Sequence, residues 1–319
     1  MLADSRGSLV KGITSSRNFG IILVLILMMG ALTILSPVFL TVSNLMFVLQ
    51  QASMFGILAC GMTLVIIMGD IDLSVGAILS LSAMFAAELF VAMGVSGILP
   101  GIALAVVVGA FCGLLNGILV AQFKLAPFLV TMGMMSIVRG FNGVWTRGMG
   151  IRGFPSEWIS AWTTGTIPLP IVIFAAVILV VSLIVKYTKY GRYIFAIGGN
   201  EQATELSGIN IKKVRIITYV IMGVLCSVAA VIYLGRMNSA EATAGIGFEF
   251  QAIAAAAIGG ASLAGGRGSI SGSVLGSLII AVLANGMTLL GVMAFYQTIL
   301  TGFIIIVAIM IDKYSTSKA

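Results

Sequence analysis

Residues 61–83 read GMTLVIIMGDIDLSVGAILSLSA. Two apolar runs are interrupted there by Gly69-Asp70-Ile71-Asp72 and the second resumes at once. A run that stops at two carboxylates and restarts describes a helix leaving the bilayer, a tight turn, and a helix going back in. Carboxylates in hydrocarbon are costly, which places the turn, with Asp70, Asp72 and Ser74, at a membrane face. Asp72 or Ser74 is positioned to cap the returning helix, and both carboxylates lie near the positive end of its dipole.

Outward from this stretch the chain keeps the same character. Its 319 residues are 60% hydrophobic and 8% charged, whereas a soluble domain carries roughly 25% charged residues. The expected fold class is therefore an all-α polytopic membrane protein, one transmembrane domain over 1–319. The net charge of +7 does not point to nucleic acid, because the basic residues occupy short breaks between apolar runs, the pattern that orients membrane helices. The chain has no histidine, which excludes histidine metal sites, Ser-His dyads and histidine proton relays. With no catalytic motif either, it reads as a non-enzyme with no cofactor and no metal. Cys60, Cys112 and Cys226 are isolated inside apolar runs and read as small buried thiols. Arg6, Lys11 and Arg17 precede the first apolar run as in a secretory signal. That run is long and lacks a small-x-small cleavage site, so an uncleaved first helix is expected.

A crossing takes about 20 apolar residues. About ten such segments follow from that length, at 19–36, 46–69, 73–94, 98–122, 126–145, 167–188, 212–235, 248–263, 268–290 and 294–312. The eighth is short and rich in Gly and Ala, as a broken or tilted helix would be. With 1–18 placed in the cytoplasm, the inner segments hold Arg6, Lys11, Arg17, Lys124, Lys186, Lys189, Arg192, Lys212, Lys213, Arg215, Arg267, Lys313 and Lys318. The outer ones hold Arg139, Arg147, Arg152 and Arg236. That is 13 against 4 of the 17 Lys and Arg, which favours both termini inside and an even number of spans.

An internal repeat runs at an offset of 169 residues: Gly76 maps to Gly245, Ala86-Ala87 to Ala255-Ala256, Gly97 to Gly266, Asn116-Gly117 to Asn285-Gly286, and Gly133 to Gly302. It superimposes segments 2–5 on 7–10. Five spans separate the copies, so their topology is inverted, as in many transporters. Gly109-x-x-x-Gly113-x-x-x-Gly117 and Gly268-x-x-x-Gly272-x-x-x-Gly276 are stripes that let helices approach closely.

The longest polar inner segment is 187–212. Asn200 is placed as an N-cap, Glu201 to Leu206 is helix-forming and includes Thr204 and Glu205, and Ser207-Gly208 stops it. The run Gly259 to Gly268 lacks the lysine and hydroxyl of a phosphate loop, so the chain has no nucleotide site of its own. Glu88 is the one carboxylate well inside an expected span, either functional there or near the outer interface. Neutral amides, among them Gln50, Gln51, Asn116 and Asn285, suit either an uncharged polyhydroxylated solute or helix–helix bonding. The outer loop 145–166 carries Trp145, Trp158 and Trp162, and a second outer segment, 237–249, carries Glu241.

Three stretches resemble the sugar permeases of bacterial ATP-binding-cassette importers, in their ribose-type branch: GMTLVI-x-x-G-x-IDLSVG from Gly61, the run from Ala196 to Ile209, and the run from Ala257 to Gly268. The resemblance spans about Leu35 to the C-terminus. It implies an inner-membrane subunit importing a monosaccharide, with a second permease subunit, a partner ATPase and a periplasmic sugar-binding protein. It also implies that Asn200, Glu201, Thr204, Glu205, Ser207 and Gly208 couple to the ATPase, and that Trp158, Trp162 and Glu241 lie where the binding protein docks. A nucleoside, a furanosyl signal molecule or a branched-chain amino acid as cargo stays open, as does an ion-coupled secondary transporter.

Overall fold

The computed structural model describes residues 17–163 and 168–316. They form α1 (Arg17–Leu35), α2 (Val42–Ile67), α3 (Val75–Met93), α4 (Ile98–Gln122), α5 (Pro127–Thr146), α6 (Ser156–Thr163), α7 (Leu169–Tyr187), α8 (Lys189–Gly199), α9 (Glu201–Leu206), α10 (Ile211–Met237), α11 (Phe248–Ile258), α12 (Ile270–Leu289) and α13 (Ala294–Thr316). Among the described residues there is no strand, only an isolated bridge between Ile151 and Ala240. The chain is an α-helical polytopic membrane protein.

Among the described residues, six helical stretches are long and apolar enough to cross a membrane: 18–35, 42–67, 75–122, 169–187, 211–237 and 270–289. The third is a hairpin, not a rod. A straight helix of its 48 residues would run about 72 Å, more than twice the hydrocarbon thickness. Gly94, at φ +59°, opens a 3-10 turn over Gly94–Gly97 that reverses the chain. A Cβ on Gly97 would overlap the Leu89 carbonyl, and one on Gly101 would press into the Phe90 ring, so α4 can fold back onto α3 only on glycine.

The centre belongs to α2 and α10. Every residue of α2 from Ala52 to Ile67 is buried. A helix that is apolar all round is one that other helices surround. The perimeter belongs to α1, α7 and α13, which turn Leu27, Ile34, Leu179, Phe295 and Phe303 outward, as lipid contact requires. Both glycine stripes are packing seams. Gly109, Gly113 and Gly117 on α4 meet Gly223, Tyr219 and Ile216 on α10, and Gly272 and Gly276 on α12 meet Gly259 and Ala255 at the end of α11.

The connections gather at two ends of the bundle. At one end the α2–α3 turn, α8, α9, the start of α10 and the 259–268 loop lie together, and Asn18 donates to Ser271 there. At the other, α6 and the segment just before it pack on Phe90 of α3 through Trp158 and Phe154. Ile151 pairs there with Ala240, Asn142 donates to Ser80, and Ser80 donates to the Glu241 carbonyl.

Three local differences from the sequence reading have physical causes. Ser74 is the residue before α3 but makes no side-chain cap, and Asp72 does not cap the helix either. Their side chains bond to each other instead, so neither reaches the first-turn N–H groups. A loop is expected at 145–166, but Ser156–Thr163 is helical because Trp158 and Trp162, four apart, turn one face inward. The single helix expected within 187–212 is two. Tyr190, Ile194 and Ile197 form an inward stripe at helical spacing, giving α8 ahead of α9.

Candidate functional site

The C-terminal end of α2 closes with Gly69 in the left-handed region at φ +85°. Its N–H donates to the Ile66 carbonyl and that of Asp70 to Val65, a left-handed helix cap of the kind glycine favours. The chain then threads back through protein. Thr131 of α5 accepts from the Leu73 N–H at 3.0 Å. Asp72 Oδ1 accepts from the Ser74 N–H at 2.8 Å and from its hydroxyl at 2.5 Å. Asn116 of α4 donates to Ser74 Oγ at 2.9 Å.

Asp72 and Asn116 are fully buried and Asp70 is 5% exposed. The carboxylates of the turn are therefore covered by protein, although the sequence reading places them at a membrane face to spare them burial. Burial pushes Asp72 up to about 6, with the two Ser74 hydrogen bonds pulling back. Burial likewise pushes Asp70 up to about 6, against the nearby Arg215 guanidinium.

Arg215, one turn into α10, is the cover's polar centre. Its Nε donates to Asp70 Oδ2 at 3.0 Å. Its Nη1 and Nη2 donate to Glu201 Oε1 and Oε2 at 3.2 and 3.1 Å. One planar fork thus holds two carboxylates, one buried and one half-exposed. The sequence reading counts Arg215 only as an inner positive charge. Its partners stand 14 and 145 positions away, and only the identity of the residue, arginine rather than lysine, hints at a two-sided contact.

Glu201 opens α9. Asn200 Oδ1 caps the helix by accepting from the Ala203 N–H at 2.9 Å, and Thr204 donates to the Asn200 carbonyl at 2.7 Å. Ser207 donates to the Ala203 carbonyl, and Gly208 follows at φ +79°. Glu205 faces outward, and Leu206 is 90% exposed, unusual for a large apolar side chain beside so many charges. A cavity of about 320 Å³ opens beside α9, lined by Lys124, Pro127, Glu201, Glu205, Lys212 and Arg215 among others.

The other expected site residues are scattered. Trp158 and Trp162 are buried at 4% and 9% exposure. Trp158 packs on Phe90 and Trp162 with ring centroids 4.6 and 5.1 Å apart, and Gly235 leaves room for the Trp162 ring. They fasten α6 and leave Glu157, Ile159 and Ser160 on its outer face. Glu241 pairs with Arg152 at 3.4 Å near that surface. Asn285 and Asn44 exchange both amide hydrogen bonds, at 2.8 and 3.0 Å, joining α12 to α2. Gln50 and Gln51 are half-buried on α2. Glu88 lies on the outer surface of α3.

A cavity of about 560 Å³ lies between α11, α12 and α13. Gln251, Gln297, Thr298 and Thr301 supply its polar groups, and Phe250, Ile280, Leu283 and Met287 its apolar wall. Asn116, Asn285, Gln50 and Gln51 do not line it. Gln251 Oε1 is buried there without a protein partner, and Gln297 reaches Thr288 at 3.4 Å.

A bundle of apolar helices with an amphipathic cavity and a charged helical loop at one end fits a membrane transport permease. The family described as branched-chain amino acid transport system, permease component, matches residues 44–309. The chain belongs to this family, in its ribose-type branch. The ribose import permease protein of Escherichia coli strain K12 is 41% identical to it over 298 residues, 92% of each chain. That of Bacillus subtilis strain 168 is 39% identical over 305 residues, 93% of each chain. The D-allose transport system permease protein of E. coli strain K12 is 36% identical over 299 residues, 93% of this chain and 91% of that one. No solved structure matches the chain.

Proposed function

We propose that this chain is the permease subunit of an ATP-driven importer that carries a monosaccharide, a ribose-like pentose or an aldohexose, across the bacterial inner membrane. The observation that carries this reading is near-full-length similarity to permeases named for ribose and allose import. The 560 Å³ cavity agrees with it, being within the usual range for small-molecule sites of roughly 300–1,000 Å³. Amides and hydroxyls that both donate and accept suit a neutral polyol. Gln50 and Gln51 remain candidates for the route. Asn116 and Asn285 are occupied by Ser74 and Asn44 in the described state and would join it only if those helices part.

The working assembly has a second permease subunit, ATPase subunits below and a sugar-binding protein above, which docks near Glu157, Arg152 and Glu241. The ATPase docks on 187–212, with Leu206 and Glu205 as the outward contact of α9. Hydrolysis belongs to the partner. Closure of the ATPases pushes α9 and opens the route alternately to each face.

Ten crossings, both termini cytoplasmic and an inverted repeat complete the reading. The helices expected to correspond are α2 with α10, α3 with α11, α4 with α12, and α5 with α13. Their packing is paired in the same way: α4 lies on α10 as α12 lies on α2, α3 on α4 as α11 on α12, and α3 on α5 as α11 on α13. Gly76 and Gly245, equivalent in the repeat, touch each other backbone to backbone, as residues on a twofold axis would.

The test is uptake into proteoliposomes holding the permease with its ATPase, with sugar-loaded binding protein outside. Uptake of ribose or an aldohexose that needs ATP is the expected result. Uptake that continues without ATP and follows an ion gradient would replace this reading with a secondary transporter.

A further inference from the structure

We infer that Arg215 is the positioning residue through which movement of α9 reaches the α2–α3 turn and, through it, the interior of the bundle. The inference rests on the reading of α9 as the ATPase contact and goes beyond it by naming the internal receiver.

The geometry is directional. Glu201 presents a half-exposed carboxylate on α9, while Asp70 is 5% exposed. The Arg215 guanidinium spans the two, with two N–H groups on the outer carboxylate and one on the inner. Arginine can do this because its donors leave a rigid plane in different directions. A lysine ammonium would act as a point charge with no such preset geometry.

What Asp70 belongs to makes it a receiver. Its turn is the place where three segments meet with no side chains between them. The Gly266 N–H donates to the Ile67 carbonyl at 2.8 Å. Gly198, near the end of α8, lies so close to Ile67 and Gly266 that a Cβ would overlap backbone on both sides, and Gly265 sits against Gly69 and Gly198. Displacement of the turn is therefore felt at the end of α2 and in the loop leading to α12. Two residues beyond Asp70, the bonds from Ser74 to Asp72 and from Asn116 to Ser74 carry the contact to α4. Two polar clusters, Glu201–Arg215–Asp70 and Asp72–Ser74–Asn116, are thus joined through the short backbone between Asp70 and Asp72 and reach from α9 to the turn-side end of α4, and Arg215 is the link that joins α9 to Asp70.

The experiment uses the full complex in proteoliposomes. It reads ATP hydrolysed per sugar taken up, together with the amount of ATPase that co-purifies. Three variants serve: Glu201→Gln, which changes only a half-exposed group; Arg215→Lys; and the double variant Arg215→Gln with Asp70→Asn, which leaves no unpaired buried charge. Each is expected to retain its ATPase and to hydrolyse about five-fold or more ATP per sugar, the size of an ordinary coupling between sites. Glu201→Gln added to Arg215→Lys should change the ratio little further, because both cut one link. An unchanged ratio in assembled Glu201→Gln and double variants overturns the inference, as does a combined effect equal to the product of the two single effects. If Arg215→Lys alone fails to assemble while the other two keep the wild-type ratio, Arg215 is a structural clamp and the inference also falls. Leu206→Ala and Glu205→Lys separate the two levels. If they too leave the ratio and co-purification untouched, the assignment of α9 as the ATPase contact has failed instead.

Discussion

Asp72 is a carboxylate held wholly inside protein. It is fully buried, two donors from Ser74 share its Oδ1, and its Oδ2 has no protein partner. Its carboxyl is raised from the usual value of 3.8 to about 6, so the folded chain holds the proton more tightly than the unfolded one. The ionised form therefore penalises the fold in full above about pH 6, and the penalty fades as pH falls from about 6 to about 4. A shift of that size corresponds to about 3 kcal/mol. Asp72→Asn keeps the acceptor for Ser74 and removes the charge. The detergent-solubilised variant should melt higher than wild type at about pH 8, with the gain shrinking towards zero below about pH 4. An equal loss at both pH values would show that the charge itself is structurally required. Asn285 poses a different question, whether an amide serves the sugar or the bundle. Its reciprocal bonds with Asn44 say the bundle. Asn285→Leu should lower stability by about 1–2 kcal/mol, read as lower membrane levels and a lower melting midpoint. The double variant with Asn44→Leu should recover part of the loss, since no amide is then left unpaired. If Asn285→Leu is as stable as wild type yet transports nothing, Asn285 belongs to the route.

At the scale of elements, glycine placement decides which helices can meet. Gly198 and Gly199 are adjacent at the end of α8 and have opposite surroundings. A Cβ on Gly198 would overlap the Ile67 carbonyl and the Gly266 N–H, whereas one on Gly199 meets nothing within 4 Å. Gly198→Ala should cost about 1–3 kcal/mol or more, because the obstruction is backbone and cannot rotate away. Gly199→Ala should be neutral or gain up to about 1 kcal/mol from helix propensity. Melting midpoints of the two purified variants check this, and equal behaviour would mean the three segments do not meet as described. From sequence, Gly198-Gly199 is one motif with no indication of which glycine is pressed. The same limit governs what else is legible. Apolar runs locate every long helix, because burial in lipid or in protein selects the same side chains. Asn200 and Gly208 mark the ends of α9 because caps are local chemistry. The pairing of Arg215 with Asp70 is not legible, nor is the inward turn of Trp158 and Trp162, because each depends on segments far apart in the chain. The outer loop's tryptophans suit an interfacial belt as well as a buried staple, and only packing against Phe90 and Gly235 decides between them.

For the whole molecule, the question is whether the two ends of the bundle are the two faces of the membrane. The end that holds the α2–α3 turn, α9 and the 259–268 loop also carries Lys124, Arg192, Lys212, Lys213, Arg215 and Arg267. The other carries Arg147, Arg152 and Arg236. On the proposed orientation the positive-inside rule assigns the first end to the cytoplasm. The inverted repeat we propose then demands that equivalent turns lie on opposite sides. On that proposal the turn at 69–72 is inner and its counterpart at 238–241 outer, while the turn at 94–97 is outer and its counterpart at 263–266 inner. The backbone contact of Gly266 with Ile67 keeps the turns at 69–72 and 263–266 together, and the bridge from Ile151 to Ala240 keeps 238–241 with the 145–166 segment. Because Cys60, Cys112 and Cys226 are all buried, single cysteines placed in these turns report cleanly to a membrane-impermeant thiol reagent in intact cells. Labelling is expected for Ser96→Cys and for Ser160→Cys in the outer loop. No labelling is expected for Glu205→Cys or Arg267→Cys until the cells are opened. Labelling of Glu205→Cys from outside would invert the orientation, and with it the side on which the ATPase docks. Labelling of both Ser96→Cys and Arg267→Cys from outside would remove the antiparallel relation of the halves, and the repeat would then be a resemblance of packing without opposite topology.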